Sequence, residues 1–171
     1  MELTKYLQDN YYTKQVLLEL SNTPATELLR LQTDQLMPMC SYKLSHKIKC
    51  HSFFGEYELQ EDTEYFAKGY VEWLEAIRDL DAESAFSAFS NRYKKQLGKL
   101  QKQGLNSANA KLKNMFGDEF DEHIKSEWQH FLNGTYGLCT QSGLPEDIAS
   151  KELAILEISR LISTNKLSIE F

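Results

Sequence analysis

The chain has 171 residues, of which 42% are hydrophobic and 12% aromatic, and its formal net charge is −6. This length and apolar content exclude a disordered chain and predict one domain, or one domain with a small appended module. The negative charge disfavours non-specific binding to nucleic acid. Three cysteines and a first segment without an apolar leader predict a cytoplasmic protein, and no apolar run approaches the ~18 residues of a membrane span.

The segment from residue 11 to residue 38 predicts two short helices joined by a tight turn. Thr13 is placed to cap the first helix, because its hydroxyl can accept a hydrogen bond from an unpaired amide of the next turn. Pro24 suits the first turn of the second helix, with Thr23 as its cap. Pro38 ends the helical pattern. Helices this short are stable only when they share a core with the rest of the chain.

These residues resemble the N-terminal domain of MerR-type regulators, a winged helix-turn-helix that binds DNA. Residues 20–38 follow that family's pattern without a gap, and the shared features are Leu20, Pro24, Leu28 and Leu36-Met37-Pro38, preceded by Tyr12-Thr13. The family's usual arginines are replaced by Thr26 and Leu29, and its usual glycines by Asn22 and Gln35. Arg30 is the one base left inside the second helix. The resemblance therefore favours the fold and disfavours DNA recognition.

The remaining pattern is mainly helical. Residues 43–54 alternate polar and apolar side chains and predict a strand of a wing hairpin. Apolar residues then recur at helical spacing and predict helices over residues 62–77, 82–102, 108–116 and 119–132, and a last helix that begins at Pro145. Trp73 and Trp128 lie on the apolar faces of two of these helices, so both are predicted to be buried in the core. A loop is expected over residues 134–145, and an extended tail from Thr164.

The predicted fold class is therefore mostly α. A winged helix-turn-helix with a small β-hairpin wing occupies residues 1–55, and it packs on a C-terminal helical bundle over residues 56–171. Over its whole length the chain also resembles a family of small bacterial proteins associated with natural-product biosynthesis. The segments that carry this second resemblance are Ser41–Leu44, Cys50–Glu56, Trp73-Leu74, Gly134–Thr140 and Lys151-Glu152. It implies a biosynthetic setting and no catalytic residue.

Basic side chains form the first set of candidate contacts. The candidates for contact with DNA or a partner are Arg30 in the second helix and Lys43, Lys47 and Lys49 on the predicted wing. A second basic block lies on the predicted helix of residues 82–102, and its contact candidates are Arg92, Lys95 and Lys99. Such a block can bind phosphates or an acidic peptide. The alternative interpretation is that these residues form a solvated helix face without a partner.

The second candidate is the Gly-rich loop before the last helix. Its ligand-loop residues are Gly134, Tyr136, Gly137, Cys139 and Thr140. Glycine lets backbone amides approach a ligand closely, and the following helix start favours an anion. Cys139 is the candidate nucleophile of a small enzyme, and the alternative is an ordinary connection with a buried cysteine.

No metal or cofactor is predicted, because the cysteines and histidines lack the close spacing of zinc ligands. His123 and His130 lie two turns apart on one helix face, too far apart to chelate one ion. Either could act as a base for Cys139 only if the fold brings the two together.

The function predicted first is non-catalytic binding of a protein, a peptide or a small molecule, as an accessory protein in a biosynthetic pathway. The first alternative is a transcription regulator that reads DNA with Arg30 and the wing lysines. The second alternative is a small enzyme centred on Cys139.

Overall fold

The computed structural model describes residues 2–102 and 120–167. Over these residues the chain is mixed α/β, with eight helices and one three-stranded antiparallel sheet. The elements, in chain order, are α1 Glu2–Asn10, β1 Tyr11–Thr13, α2 Lys14–Ser21, α3 Ala25–Thr33, β2 Tyr42–Ser52, β3 Gly55–Ala67, α4 Tyr70–Ala76, α5 Ala82–Lys102, α6 Phe120–Leu132, α7 Tyr136–Cys139 and α8 Pro145–Leu167. The predicted helix over 108–116 lies outside the described residues.

The predicted fold class, a mostly α chain with a winged helix-turn-helix and a small β-hairpin, is wrong. The sheet has the strand order β1-β3-β2, and β2 and β3 have 11 and 13 residues. The pairing of β2 with β3 is continuous from Tyr42 opposite Tyr65 to Ser52 opposite Gly55. Each of these two strands spans roughly 35 Å or more, so β2 and β3 form a long two-stranded ribbon in the middle of the chain.

The predicted helix over residues 62–77 is wrong in its first part. Residues 62–67 belong to β3, and α4 begins only at Tyr70. The apolar residues here fit a helical period, but their backbone groups pair with β1 on one side and β2 on the other. Residues 62–65 pair with β2 and residues 65–67 pair with β1, and this backbone pairing outweighs the local preference.

The outer half of the ribbon projects away from the helices. All β2 side chains from Lys47 onward are exposed, and the turn residues Phe53 and Phe54 are 97% and 95% exposed. Lys47 and Lys49 both pair with Glu58 across the ribbon, at 3.0 and 2.7 Å. The ribbon tip therefore adds nothing to the hydrophobic core.

The core is built around aromatic side chains from α4, α5 and α6. Trp73 is fully buried, its Nε1 donates to the Leu36 carbonyl at 2.9 Å, and its ring lies 5.0 Å from that of Phe131. Trp128 is also buried, and its ring lies 5.2 Å from that of Phe89. The prediction that both tryptophans belong to the core is confirmed.

Other local predictions are also confirmed. Helix α5 has the predicted bounds, and its buried residues Ala85, Phe89, Tyr93 and Leu97 recur every four positions. Thr13 caps α2 by accepting from the Val16 amide. By contrast, Pro24 rather than Thr23 is the N-cap of α3, and residues 164–167 are helical rather than extended. No helix among the described residues has the length and apolarity that crossing a membrane requires.

Candidate functional site

Five polar side chains from four helices converge beside the core. Tyr93 comes from α5, His123 and Glu127 from α6, Tyr136 from α7 and Glu152 from α8. His123 and Glu127 are four residues apart on α6, so they lie one above the other on the same helix face. The cluster is partly shielded from water, since the side chains of His123 and Glu152 are 26% and 22% exposed.

Hydrogen bonds link the cluster into two connected groups. Nε2 of His123 lies 2.9 Å from Oε1 and 3.1 Å from Oε2 of Glu152. The Tyr93 hydroxyl donates to the same Glu152 carboxylate, and the Tyr136 hydroxyl donates to Glu127. The potential ligand atoms of His123, Glu127 and Glu152 all lie within 4.8 Å of one another.

The surroundings change how these groups titrate. The hydrogen bond to Glu152 raises the pKa of His123, and the Glu152 charge adds to this, whereas burial opposes it. Burial raises the pKa of Tyr93, and the neighbouring Glu152 charge raises it further. Burial and the hydrogen bond to Glu127 likewise raise the pKa of Tyr136. Both tyrosines therefore remain protonated donors at neutral pH, and the nearby Glu152 carboxylate favours the protonated form of His123.

A cavity of about 230 Å³ opens beside this cluster, between α6, α7 and α8. Its lining is both polar and apolar, and the lining residues are Glu127, Tyr136, Ile148, Lys151, Glu152, Ile155 and Leu156. The Lys151 ammonium lies 5.3 Å from the centre of the Tyr136 ring and donates to Sγ of Cys139 at 2.9 Å. The cavity thus combines an apolar wall with two carboxylates.

A larger hollow of about 470 Å³ lies at the base of the ribbon, but its charges are already satisfied. Lys14 pairs with Glu64 at 3.0 Å, and Lys43 pairs with Asp62 at 2.9 Å. Each of these four charges is matched by an opposite charge within the hollow, so none of them is left for a ligand. We therefore place the candidate site at the smaller cavity.

Of the predicted ligand-loop residues, Tyr136 lines this cavity. The loop contains the short helix α7, so the predicted plain loop over 134–145 is wrong. Gly134 has a φ of +77°, and a Cβ there would lie 2.7 Å from the Met39 carbonyl oxygen. A Cβ at Gly137 would collide with Ser41. These glycines allow close packing against the chain that enters β2.

The other loop candidates have separate contacts. Tyr136 lines the cavity, and the exposed Cys139 contacts Lys151, which also lines it. The Thr140 hydroxyl donates to the Tyr136 carbonyl at 2.7 Å. The Cys139 thiol also donates to the Thr135 carbonyl at 3.6 Å, and among the described residues no imidazole hydrogen-bonds to it.

The predicted basic contacts lie elsewhere and most are compensated by carboxylates. Arg30 pairs with Glu27 at 2.7 Å and with Asp34 at 2.8 Å. Lys43, Lys47 and Lys49 pair with acids on β3. Arg92 is half-buried between Glu72 and Glu146, at 2.6 and 2.7 Å. Lys95 and Lys99 are exposed on α5.

Sequence reasoning missed Glu127, Glu152 and Tyr93 as members of the cluster, whereas Tyr136 was among the predicted ligand-loop residues. The His-x-x-x-Glu spacing from His123 to Glu127 was the available signal, because it places both side chains on one helix face. No local pattern connects Glu152 or Tyr93 to that pair, because they are 29 and 30 residues away from His123. Packing of α5 and α8 beside α6 brings them together.

The fold and the cluster define a mixed α/β protein with a polar, cavity-facing site in its C-terminal half. Residues 85–170, half of the chain, match a family of unknown function, DUF6058, and the protein belongs to that family. No curated protein and no solved structure matches the chain. Every member of the cluster, together with Lys151 and Cys139, lies within the matched residues.

Proposed function

We propose that the protein is a non-catalytic accessory protein that binds a small organic molecule in the cavity between α6, α7 and α8. The observation that carries the proposal is the composition of this cavity. Ile148, Ile155 and Leu156 supply apolar lining, and Glu127 and Glu152 supply two carboxylates. Binding sites for small molecules combine an apolar lining with a few placed polar groups in this way.

The cavity also limits the size of the ligand. Its volume of about 230 Å³ lies below the ~300–1,000 Å³ of sites that enclose drug-sized molecules. The expected ligand is therefore a small metabolite, or one end of a larger one that extends past Lys151. A cytoplasmic role in bacterial natural-product biosynthesis belongs to the same proposal and accords with three unpaired cysteines among the described residues.

The pairing of the charged side chains favours small-molecule binding over DNA recognition. The bases assigned to DNA contact on α3 and the ribbon already have carboxylate partners, so phosphates would have to compete with those pairs. At the cavity, by contrast, Glu127 accepts from a neutral tyrosine and forms no ion pair with another described residue.

The test is a fragment screen followed by protein NMR, with a cavity-filling variant and a matched control. Ile155→Trp places a large ring in the cavity, whereas Ile158→Trp adds the same ring on α8 outside the lining. The side chains are 50% and 56% exposed, so neither change strains the core. We expect fragments to shift amide signals around the cavity in the wild type and in Ile158→Trp, and Ile155→Trp to lose these shifts. Shifts that cluster elsewhere, or survive equally in both variants, would contradict the proposal.

A further inference from the structure

The carboxylate side of the cavity has the composition of a metal site. One imidazole nitrogen and two carboxylates, from His123, Glu127 and Glu152, place their ligand atoms within 4.8 Å of one another. Two of the three come from successive turns of α6, and the third comes from α8. Two rigid helices therefore position the donors, and no loop has to order before an ion can bind.

The spacing suits a single ion. Metal–nitrogen and metal–oxygen bonds of about 2.0–2.2 Å separate neighbouring ligand atoms by about 3–4 Å. Nε2 of His123 and Oε1 of Glu152 are 2.9 Å apart, and the whole set spans no more than 4.8 Å. The widest separation exceeds the ideal range by about 1 Å or less, so small rotations about the side-chain torsions would bring all three donors to bonding distance.

Two tyrosines support the carboxylates from outside. Tyr136 donates to Glu127, and Tyr93, which is fully buried, donates to Glu152. A hydrogen bond to one carboxylate oxygen fixes the group and leaves the other oxygen free for a metal, which is how outer partners orient metal ligands. The two carboxylates also carry a charge of −2, which a divalent ion neutralises and a single imidazolium does not.

We propose that His123, Glu127 and Glu152 bind one divalent transition-metal ion at the side of the cavity. A mixed nitrogen and oxygen ligand set favours ions such as Mn²⁺, Fe²⁺ or Zn²⁺ over Ca²⁺, which takes oxygen ligands. Three protein ligands leave coordination positions open, and the cavity is the free space next to them. The inference rests on the proposed ligand cavity, and the ion would then hold a donor atom of the bound molecule.

Metal binding can be measured with the ion alone, using the whole chain freed of metal by chelation. Titration with Zn²⁺ by calorimetry should give one ion per chain, and Co²⁺ should give the visible absorption of a site with nitrogen and oxygen donors. Glu127→Gln and Glu152→Gln keep the side-chain shape and should each lower the affinity at least about tenfold. Tyr136→Phe, which removes only the hydrogen bond to Glu127, should lower it about tenfold or more.

Two control variants separate this site from surface binding. His130→Ala removes an exposed imidazole from the same helix, and Cys139→Ser removes the nearest thiol to the cavity residue Lys151. Both should bind one ion with the affinity of the wild type. Thermal unfolding in chelator confirms that each variant is folded, and X-ray absorption of the wild-type Zn²⁺ complex supplies a test that needs no variant. We expect nitrogen and oxygen neighbours and no sulfur.

Three results would overturn the metal site. These are binding of less than one ion per chain at about 100 µM Zn²⁺, unchanged affinity in Glu127→Gln, or a sulfur neighbour in the absorption spectrum. The proposed function fails on different evidence, because fragment binding is recorded without metal and depends on Ile155. A chain that binds fragments but no ion would keep the ligand cavity and lose the metal.

Discussion

Trp73→Ala is the substitution for which the structure gives the clearest magnitude. The side chain is fully buried, its ring lies 6.0 Å from Trp128 and 5.0 Å from Phe131, and its Nε1 donates to the Leu36 carbonyl. Burying about 150–250 Å² at ~25 cal/mol per Å² stabilises the fold by about 4–6 kcal/mol. Partial collapse of the cavity reduces this, so we expect a loss of about 4 kcal/mol in the free energy of unfolding.

A second variant separates packing from hydrogen bonding. Trp73→Phe keeps an aromatic ring in contact with Phe131 but leaves the Leu36 carbonyl without its donor, which costs about 1–3 kcal/mol. Because whole domains are stable by only about 5–15 kcal/mol, Trp73→Ala approaches the limit of folding, and Trp73→Phe keeps the prediction measurable.

The assay is urea unfolding followed by circular dichroism, with Phe53→Ala as the control. Phe53 is 97% exposed at the ribbon tip, so removing its ring should leave the midpoint nearly unchanged. Equal midpoints for Trp73→Ala and Phe53→Ala would contradict this prediction, since a buried and an exposed aromatic residue would then contribute equally to stability.

Three further predictions concern DNA, the cysteines and one helix cap. Selection from a random DNA pool should yield weak, salt-sensitive binding without an enriched sequence, because the available bases are paired with acids; one enriched palindrome would disprove this. Alkylation at neutral pH should label Cys139 fastest, ahead of Cys50 and Cys40, and Lys151→Met should slow it by removing a hydrogen bond to the sulfur. Cys40 should lag because burial raises its pKa; mass spectrometry assigns the order, and equal rates would disprove it. Thr13→Ala should cost about 1 kcal/mol in chemical unfolding, whereas Thr13→Ser should cost less because it retains the cap.

The helical predictions that were confirmed rest on short-range patterns. Helix α5 repeats buried residues every four positions from Ala85 to Leu97, and the Thr13 cap of α2 involves an amide three residues away. Both depend on interactions within one helix, so neighbouring residues contain the information. The same reasoning correctly placed Trp73 and Trp128 in the core, because each lies on an apolar helix face.

The fold class was wrong because strands depend on distant partners. Residues 62–67 carry side chains compatible with a helix, yet they pair with β2, about twenty residues earlier in the chain, and with β1, more than fifty residues earlier. The cross-strand pair Lys43–Asp62 is likewise invisible until the register is known. Backbone pairing between residues this far apart in the chain decides that residues 62–67 form a strand. The periodicity of side chains within a short segment contains no information about such pairing.

The candidate site, like the fold, could be predicted from the sequence only in part. The sequence by itself placed His123 on a helix, and the four-residue step to Glu127 determines that both side chains share one face of α6. Only the tertiary structure adds Glu152 from α8 and Tyr93 from α5, about thirty residues away in either direction. Helix packing fixes these contacts through the fit of apolar side chains along whole helices, which no short motif encodes.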